Sequence, residues 1–117
     1  MPSKLSSQDQ GLLAQILAAR NDPKSQQESI RILTAMKKNG GLGKSGFLLL
    51  SKLLNNANNW ERSKEVLLDA IPKFRKDPQV WIAYIEKQIE HGEYSAVKNS
   101  LSRLKEVSTQ RFHHLKL

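Results

Sequence analysis

The chain has 117 residues, of which 38% are apolar, and its 19 basic and 11 acidic residues give a net charge of +8. This length predicts one domain with one modest core, over residues 1–117, with 1–6 and 108–117 less ordered. The chain contains no cysteine, which excludes disulfides, thiolate metal sites and a cysteine nucleophile. No apolar run approaches the roughly 18 residues of a membrane span, so we expect a soluble intracellular protein.

Apolar residues recur at spacings of three and four almost throughout the chain, which predicts helices and no strand. At the first helix, Ser6–Gln10 holds a capping-box pattern, a serine followed three residues later by an acid or an amide. Asp22 and Asp77 each stand before a proline, an arrangement typical of a capping carboxylate and a first helical residue. Asn58 with Glu61 predicts the start of the fourth helix.

Glycines and a proline predict where the helices stop. Asn39–Gly41 and His91–Gly92 supply residues that tolerate left-handed backbone, and Pro72 cannot continue a helix. Six helices are therefore predicted, spanning about 7–20, 23–38, 44–56, 58–71, 78–91 and 93–107.

A repeat emerges when the chain is aligned with itself at an offset of 34 residues. The aligned pairs are Leu13 with Phe47, Ile16 with Leu50, Leu33 with Leu67, Phe47 with Trp81, Leu50 with Tyr84, and Leu67 with Leu101. Thirty-four residues is the length of a tetratricopeptide helix pair, which hides its apolar face only by stacking on its neighbours. The predicted fold is all-α, with three stacked antiparallel helix hairpins in a tetratricopeptide-like right-handed superhelix.

No motif predicts catalysis, a metal site or a cofactor. Gly40–Ser45 resembles a phosphate-binding loop, but Lys38 stands where a glycine is required and a helix precedes it instead of a strand. The three histidines do not follow a metal-ligand spacing. No serine has a plausible histidine and aspartate set in order, so we expect a protein that is not an enzyme.

The first helix of each pair lines the concave groove of a tetratricopeptide stack. The expected groove positions are Ala14 and Ala18 in the first pair, Leu48 and Lys52 in the second, and Ile82, Glu86 and Ile89 in the third. Leu48, Ile82 and Ile89 would be large apolar side chains facing the groove, which predicts a binding site for an amphipathic helix. The alternative is that the register is off by one and these residues are buried.

Several of these segments are similar to one family of helical-repeat proteins. They are Leu12–Ile16, Glu28–Leu33, Leu48–Asn55, Trp81–Ala83 with Gly92, and Leu101–Leu104. The chain resembles the small tetratricopeptide-like chaperones of bacterial type III secretion that hold the needle subunit before export. The resemblance implies a non-enzymatic chaperone in the bacterial cytoplasm.

The same resemblance implies two protein partners and assigns residues to each. The groove would hold the C-terminal helix of the needle subunit through Leu48, Ile82 and Ile89, with Lys52 and Glu86 setting its register by charge. A small helical co-chaperone would pack on the N-terminal hairpin, at Leu5, Leu12 and Leu17.

A second resemblance is to the half-a-tetratricopeptide repeats of RNA-processing scaffolds. Val80–Glu86 fits their Trp-x-x-Tyr core, although Gln88 stands where a glutamate is expected. The net charge of +8 would suit RNA, but the basic excess is spread thinly along the chain, which disfavours nucleic acid. A general protein-interaction adaptor is the remaining alternative.

Overall fold

The computed structural model describes the backbone of residues 5–115 and the side chains of residues 5–107. This part of the chain forms six helices and no strand, which confirms the all-α prediction. The helices are α1 (Ser7–Ala19), α2 (Pro23–Lys38), α3 (Lys44–Asn56), α4 (Trp60–Ala70), α5 (Pro78–Glu90) and α6 (Tyr94–Leu115). Consecutive helices pack as the predicted hairpins, α1 on α2, α3 on α4, and α5 on α6.

The chain divides into two compact units, residues 1–66 and 67–117, with the boundary inside α4. In the first unit α1 packs on α2, α2 packs on α3, and α3 contacts the first turns of α4. Its buried side chains include Leu33, Phe47, Leu50 and Leu54. In the second unit α5 packs on α6, and its buried residues include Leu67, Ala70, Val80, Ile85 and Gln88.

Three helices begin at the capping residues that the sequence predicts. The Ser6 hydroxyl accepts a hydrogen bond from the Asp9 amide at 3.1 Å. The Asp22 and Asp77 carboxylates accept bonds from the amides of Ser25 (2.7 Å) and Gln79 (2.9 Å). The bond from the Ser25 amide is the main reason why the pKa of Asp22 lies below its ordinary value.

The prediction that Asn58 caps α4 is wrong. Asn58 adopts left-handed backbone with φ of 62°, and the side-chain oxygen of Asn59 accepts the bond from the Arg62 amide at 3.3 Å. Asn58 instead ends the preceding helix, as Gly40 (φ 77°) and Gly92 (φ 73°) do after α2 and α5, where the sequence predicts a stop. α6 also differs from its prediction, because it continues past 107 to Leu115.

A buried serine on the second helix of each hairpin bonds to the first helix. The Ser29 hydroxyl donates to the Ala14 carbonyl at 2.7 Å, and the Ser63 hydroxyl donates to the Ser51 carbonyl at 2.8 Å. The Ser100 hydroxyl donates to the side-chain oxygen of Gln88 at 2.8 Å. A small side chain lets two helix backbones approach closely, and its bonded hydroxyl is not left unsatisfied.

The repeat offset of 34 residues holds only for the second and third pairs. From Lys44 to Pro78, the first residues of α3 and α5, the offset is 34, but from Ser7 to Lys44 it is 37. Leu13 therefore corresponds to Leu50 and not to Phe47. The physical reason is that α2 has 16 residues where α4 has 11, five more, while the linker after α2 (39–43) is two residues shorter than the linker after α4 (71–77), which leaves a difference of three.

Replacing Ser29 tests the role of the serine contact. Ser29→Ala should lower the free energy of unfolding by about 1 kcal/mol, because one buried hydrogen bond is lost. Ser29→Val should cost a further 1–3 kcal/mol or so, since added methyl groups force α1 and α2 apart. Urea unfolding followed by circular dichroism measures both. The control is Ser102→Ala at an exposed position, and its free energy of unfolding should stay within about 0.5 kcal/mol of the parent. A change in Ser29→Ala as small as the change in Ser102→Ala would contradict the role of the serine contact.

Candidate functional site

One face of α5 exposes two large apolar side chains, separated by about two turns. Ile82 is 42% exposed and Ile89 is 48% exposed, and the exposed Glu86 lies between them at helical spacing. Ile85 lies about 60° around the helix from Ile82, on the side that faces the rest of the unit, and is only 7% exposed. We call Ile82, Glu86 and Ile89 the α5 stripe. It lies in the 67–117 unit.

The corresponding positions of α3 carry a weaker version of the same pattern. Leu48 and Lys52 occupy the positions of Ile82 and Glu86, counted from the first residue of each helix. Leu48 is half-buried and Lys52 is exposed, so this helix presents less apolar surface than α5. Both residues lie in the 1–66 unit.

The prediction for α1 requires a correction, because Ala14 is completely buried. Its carbonyl accepts the bond from Ser29 of α2, and its methyl group cannot reach a bound partner. With the offset of 37 residues, the positions of Leu48 and Lys52 fall on Gly11 and Gln15. The repeat offset of 34 does not point to these two residues, and the greater length of α2 is the signal that could have located them.

Ala18 occupies the third position of the stripe on α1. It corresponds to Ile89 on α5 and is half-buried. On α1 the equivalent of the α5 stripe is therefore Gly11, Gln15 and Ala18, with no large apolar side chain.

A second apolar surface lies on α1, where the resemblance implies a co-chaperone. Leu12 is 51% exposed, whereas Leu5 and Leu17 are half-buried. Ile16, one turn after Leu12, is 63% exposed and was not predicted. The most exposed apolar side chains of α1 are therefore Leu12 and Ile16.

A cleft of about 190 Å³ opens between α5 and α6. Its lining combines aromatic, amide and cationic groups, from Trp81, Tyr84, Gln88, Ala96, Asn99, Ser100 and Arg103. The rings of Trp81 and Tyr84 lie with their centroids 6.2 Å apart at 55°, a favourable tilted arrangement. The cleft is smaller than the roughly 300 Å³ of a typical small-molecule site, so it suits a single ring or side chain.

Two other features are absent from the described residues. There, no three histidine, aspartate or glutamate side chains lie close enough together to hold a metal ion. Within the same part of the chain, none of the helices has the length and apolar character needed to cross a membrane.

The chain matches no protein-family model, no curated protein and no solved structure. The exposed surfaces of the helices are therefore the features that indicate a function.

Substituting the two neighbouring isoleucines of α5 tests which face is exposed. Ile82→Asp should change the free energy of unfolding by less than about 1 kcal/mol, because the new carboxylate reaches water. Ile85→Asp places a charge among buried side chains and should cost more than about 4 kcal/mol. Thermal unfolding followed by circular dichroism measures both. Loss of the helical signal in Ile82→Asp alone would show that the orientation of α5 is wrong.

Proposed function

We propose that this protein is a non-enzymatic helical-repeat module that binds an amphipathic helix of another protein on the α5 stripe. The observation that supports the proposal is the pair of exposed isoleucines, Ile82 and Ile89, at the ends of one helical stripe. Exposed apolar side chains at this spacing match the anchors of a helix laid into a groove.

The stripe also defines the chemistry of its partner. Two apolar side chains of the bound helix would cover Ile82 and Ile89, and a lysine or arginine between them would face Glu86. Ordering a flexible segment costs a few kcal/mol, so the apolar contacts must provide the binding energy and the charge mainly sets the register.

The more specific form of the proposal is a type III secretion chaperone that holds the C-terminal helix of the needle subunit. The sequence resemblance and the apolar stripe support it. Needle subunits polymerise through apolar helices, and a chaperone that covers such a helix lowers the concentration of free subunit by mass action.

A peptide titration with matched variants tests both forms. One labelled peptide is a designed 18-residue amphipathic helix with a central lysine, and the other is the C-terminal helix of a needle subunit. Fluorescence anisotropy should show binding of both, weakened at least about tenfold by Ile82→Asp or Ile89→Asp. Leu68→Asp, which changes an equally exposed apolar residue of α4, is the control and should leave binding unchanged.

The two peptides separate the general proposal from the specific one. If the designed helix binds and the needle peptide does not, the needle-subunit proposal is contradicted and the general helix-binding proposal is retained. A loss in Leu68→Asp equal to that in Ile82→Asp, or no binding of either peptide, would contradict the general proposal. Glu86→Lys should weaken binding of the lysine peptide and favour a peptide with glutamate at that position.

A second candidate function is an RNA-processing scaffold that contacts RNA directly. The observation that favours it is the cleft between α5 and α6, where Trp81 and Tyr84 could stack on a base and Arg103 could contact a phosphate.

A titration with single-stranded RNA tests this candidate. Affinity should fall steeply as salt rises, by roughly 0.7 logarithmic units per logarithmic unit of salt for each phosphate contact. Trp81→Ala and Arg103→Ala should each weaken binding, while Arg75→Ala, which removes an exposed charge outside the cleft, should have a smaller effect. Equal losses in Arg103→Ala and Arg75→Ala would indicate non-specific attraction to the net charge.

A further inference from the structure

Two helices at opposite ends of the repeat order each expose an apolar face. On α1 the face consists of Asp9, Leu12 and Ile16, and we call it the α1 end face. On α6 it consists of Tyr94, Lys98, Leu101 and Lys105, and we call it the α6 end face. Ile16 is 63% exposed and Tyr94 is 68% exposed, the two largest exposures among the large apolar side chains described.

Inside the chain, the equivalents of the two apolar residues of α1 are buried or half-buried. Ile16 corresponds to Leu53 in α3, which is 5% exposed. Leu12 corresponds to Leu49, which lines a small cleft with Leu33 and Met36 of α2, the helix before it. The α1 end face is therefore the face that, in α3, packs against a preceding hairpin.

The α6 end face has the same relation to the other second helices. Leu101 is 42% exposed, whereas its equivalents Ile30 in α2 and Leu67 in α4 are 6% and 1% exposed. In helical-repeat proteins the outer faces of the terminal repeats are ordinarily polar, which keeps the ends from associating. Here α1 and α6, the first and last helices in sequence, both expose large apolar side chains.

The two end faces also differ in charge. Asp9 is the one charged residue of α1, and it lies on the end face about one turn before Leu12. Residues 94–107 of α6 hold three basic residues and one acidic residue, and Lys98 and Lys105 lie on the end face beside Leu101. The faces are complementary in charge, so each suits the other better than it suits itself.

We propose that a second copy of this chain packs its α6 end face on the α1 end face of the first, repeating between copies the contact that α2 makes with α3 within one chain. Helices joined by a short linker run antiparallel, as α2 and α3 do across residues 39–43. In the same arrangement, Leu101 of one copy, which corresponds to Ile30, lies near Ile16 of the other, and Lys105 lies near Leu12, on the side of Asp9. The contact joins the α6 end face of one copy to the α1 end face of another, and each copy keeps one open face. Further copies can therefore join in the same head-to-tail manner.

Sedimentation velocity with complementary variants tests this arrangement. The parent protein should associate as its concentration rises, into species larger than a dimer. Ile16→Asp, which blocks the α1 end face, and Leu101→Asp, which blocks the α6 end face, should each be monomeric alone. A one-to-one mixture of the two variants should form a dimer and nothing larger, because one open face remains on each chain.

The control variant is Ile82→Asp, which changes an exposed isoleucine outside both end faces and should associate like the parent. It also separates this test from the proposed function, since it removes helix binding and leaves self-association intact. Circular dichroism checks that each variant folds, and Tyr94→Asp replaces Leu101→Asp if that variant loses its helices.

Several results would overturn the proposal. A parent protein that stays monomeric up to about 1 mM, the weak end of specific binding, has no such contact. Loss of association in only one of the two blocking variants would indicate pairing of like faces. Binding of a small helical co-chaperone to the α1 end face of a monomeric parent would assign that face to another protein.

Discussion

The contact between a buried serine and the neighbouring helix is the constraint on which the rest of the structure depends. Ser29, Ser63 and Ser100 are each buried in a hairpin, and each hydroxyl bonds to the first helix. A short buried bond between two helices restricts how each helix is rotated about its axis. That rotation decides that Ile85 is buried while Ile82 and Ile89 remain exposed.

Local signals in the sequence predicted the helices well, because a cap depends on only a few neighbouring residues. Asp22 and Asp77 cap their helices as expected, whereas Asn58 adopts left-handed backbone, because asparagine suits both a cap and that conformation. The register of the repeat is harder to predict from the sequence, since offsets of 34 and 37 residues both align apolar residues. Leu13 falls on Phe47 with one offset and on Leu50 with the other, and only the lengths of the helices decide between them.

The candidate site shows the same division between local and non-local information. The stripe of α5 could be predicted because its own spacing places two isoleucines and a glutamate on one face. The α1 residues could not, because an error of three residues moves the prediction from the surface position of Gly11 to the buried Ala14. The exposure of Ile16 and Leu101 was invisible in the sequence, since their buried equivalents Leu53 and Leu67 are equally apolar.

The exposure of the α5 side chains can be measured most directly by thiol labelling. The native chain contains no cysteine, so any introduced thiol is the only one present. Ile82→Cys, Ile85→Cys and Ile89→Cys are labelled separately with a thiol reagent under native conditions. The account predicts that the thiols at positions 82 and 89 react nearly as fast as in unfolded protein, and that the thiol at position 85 reacts at least about 100-fold more slowly. Rapid reaction at position 85 together with protection at position 82 or 89 would contradict the orientation of α5.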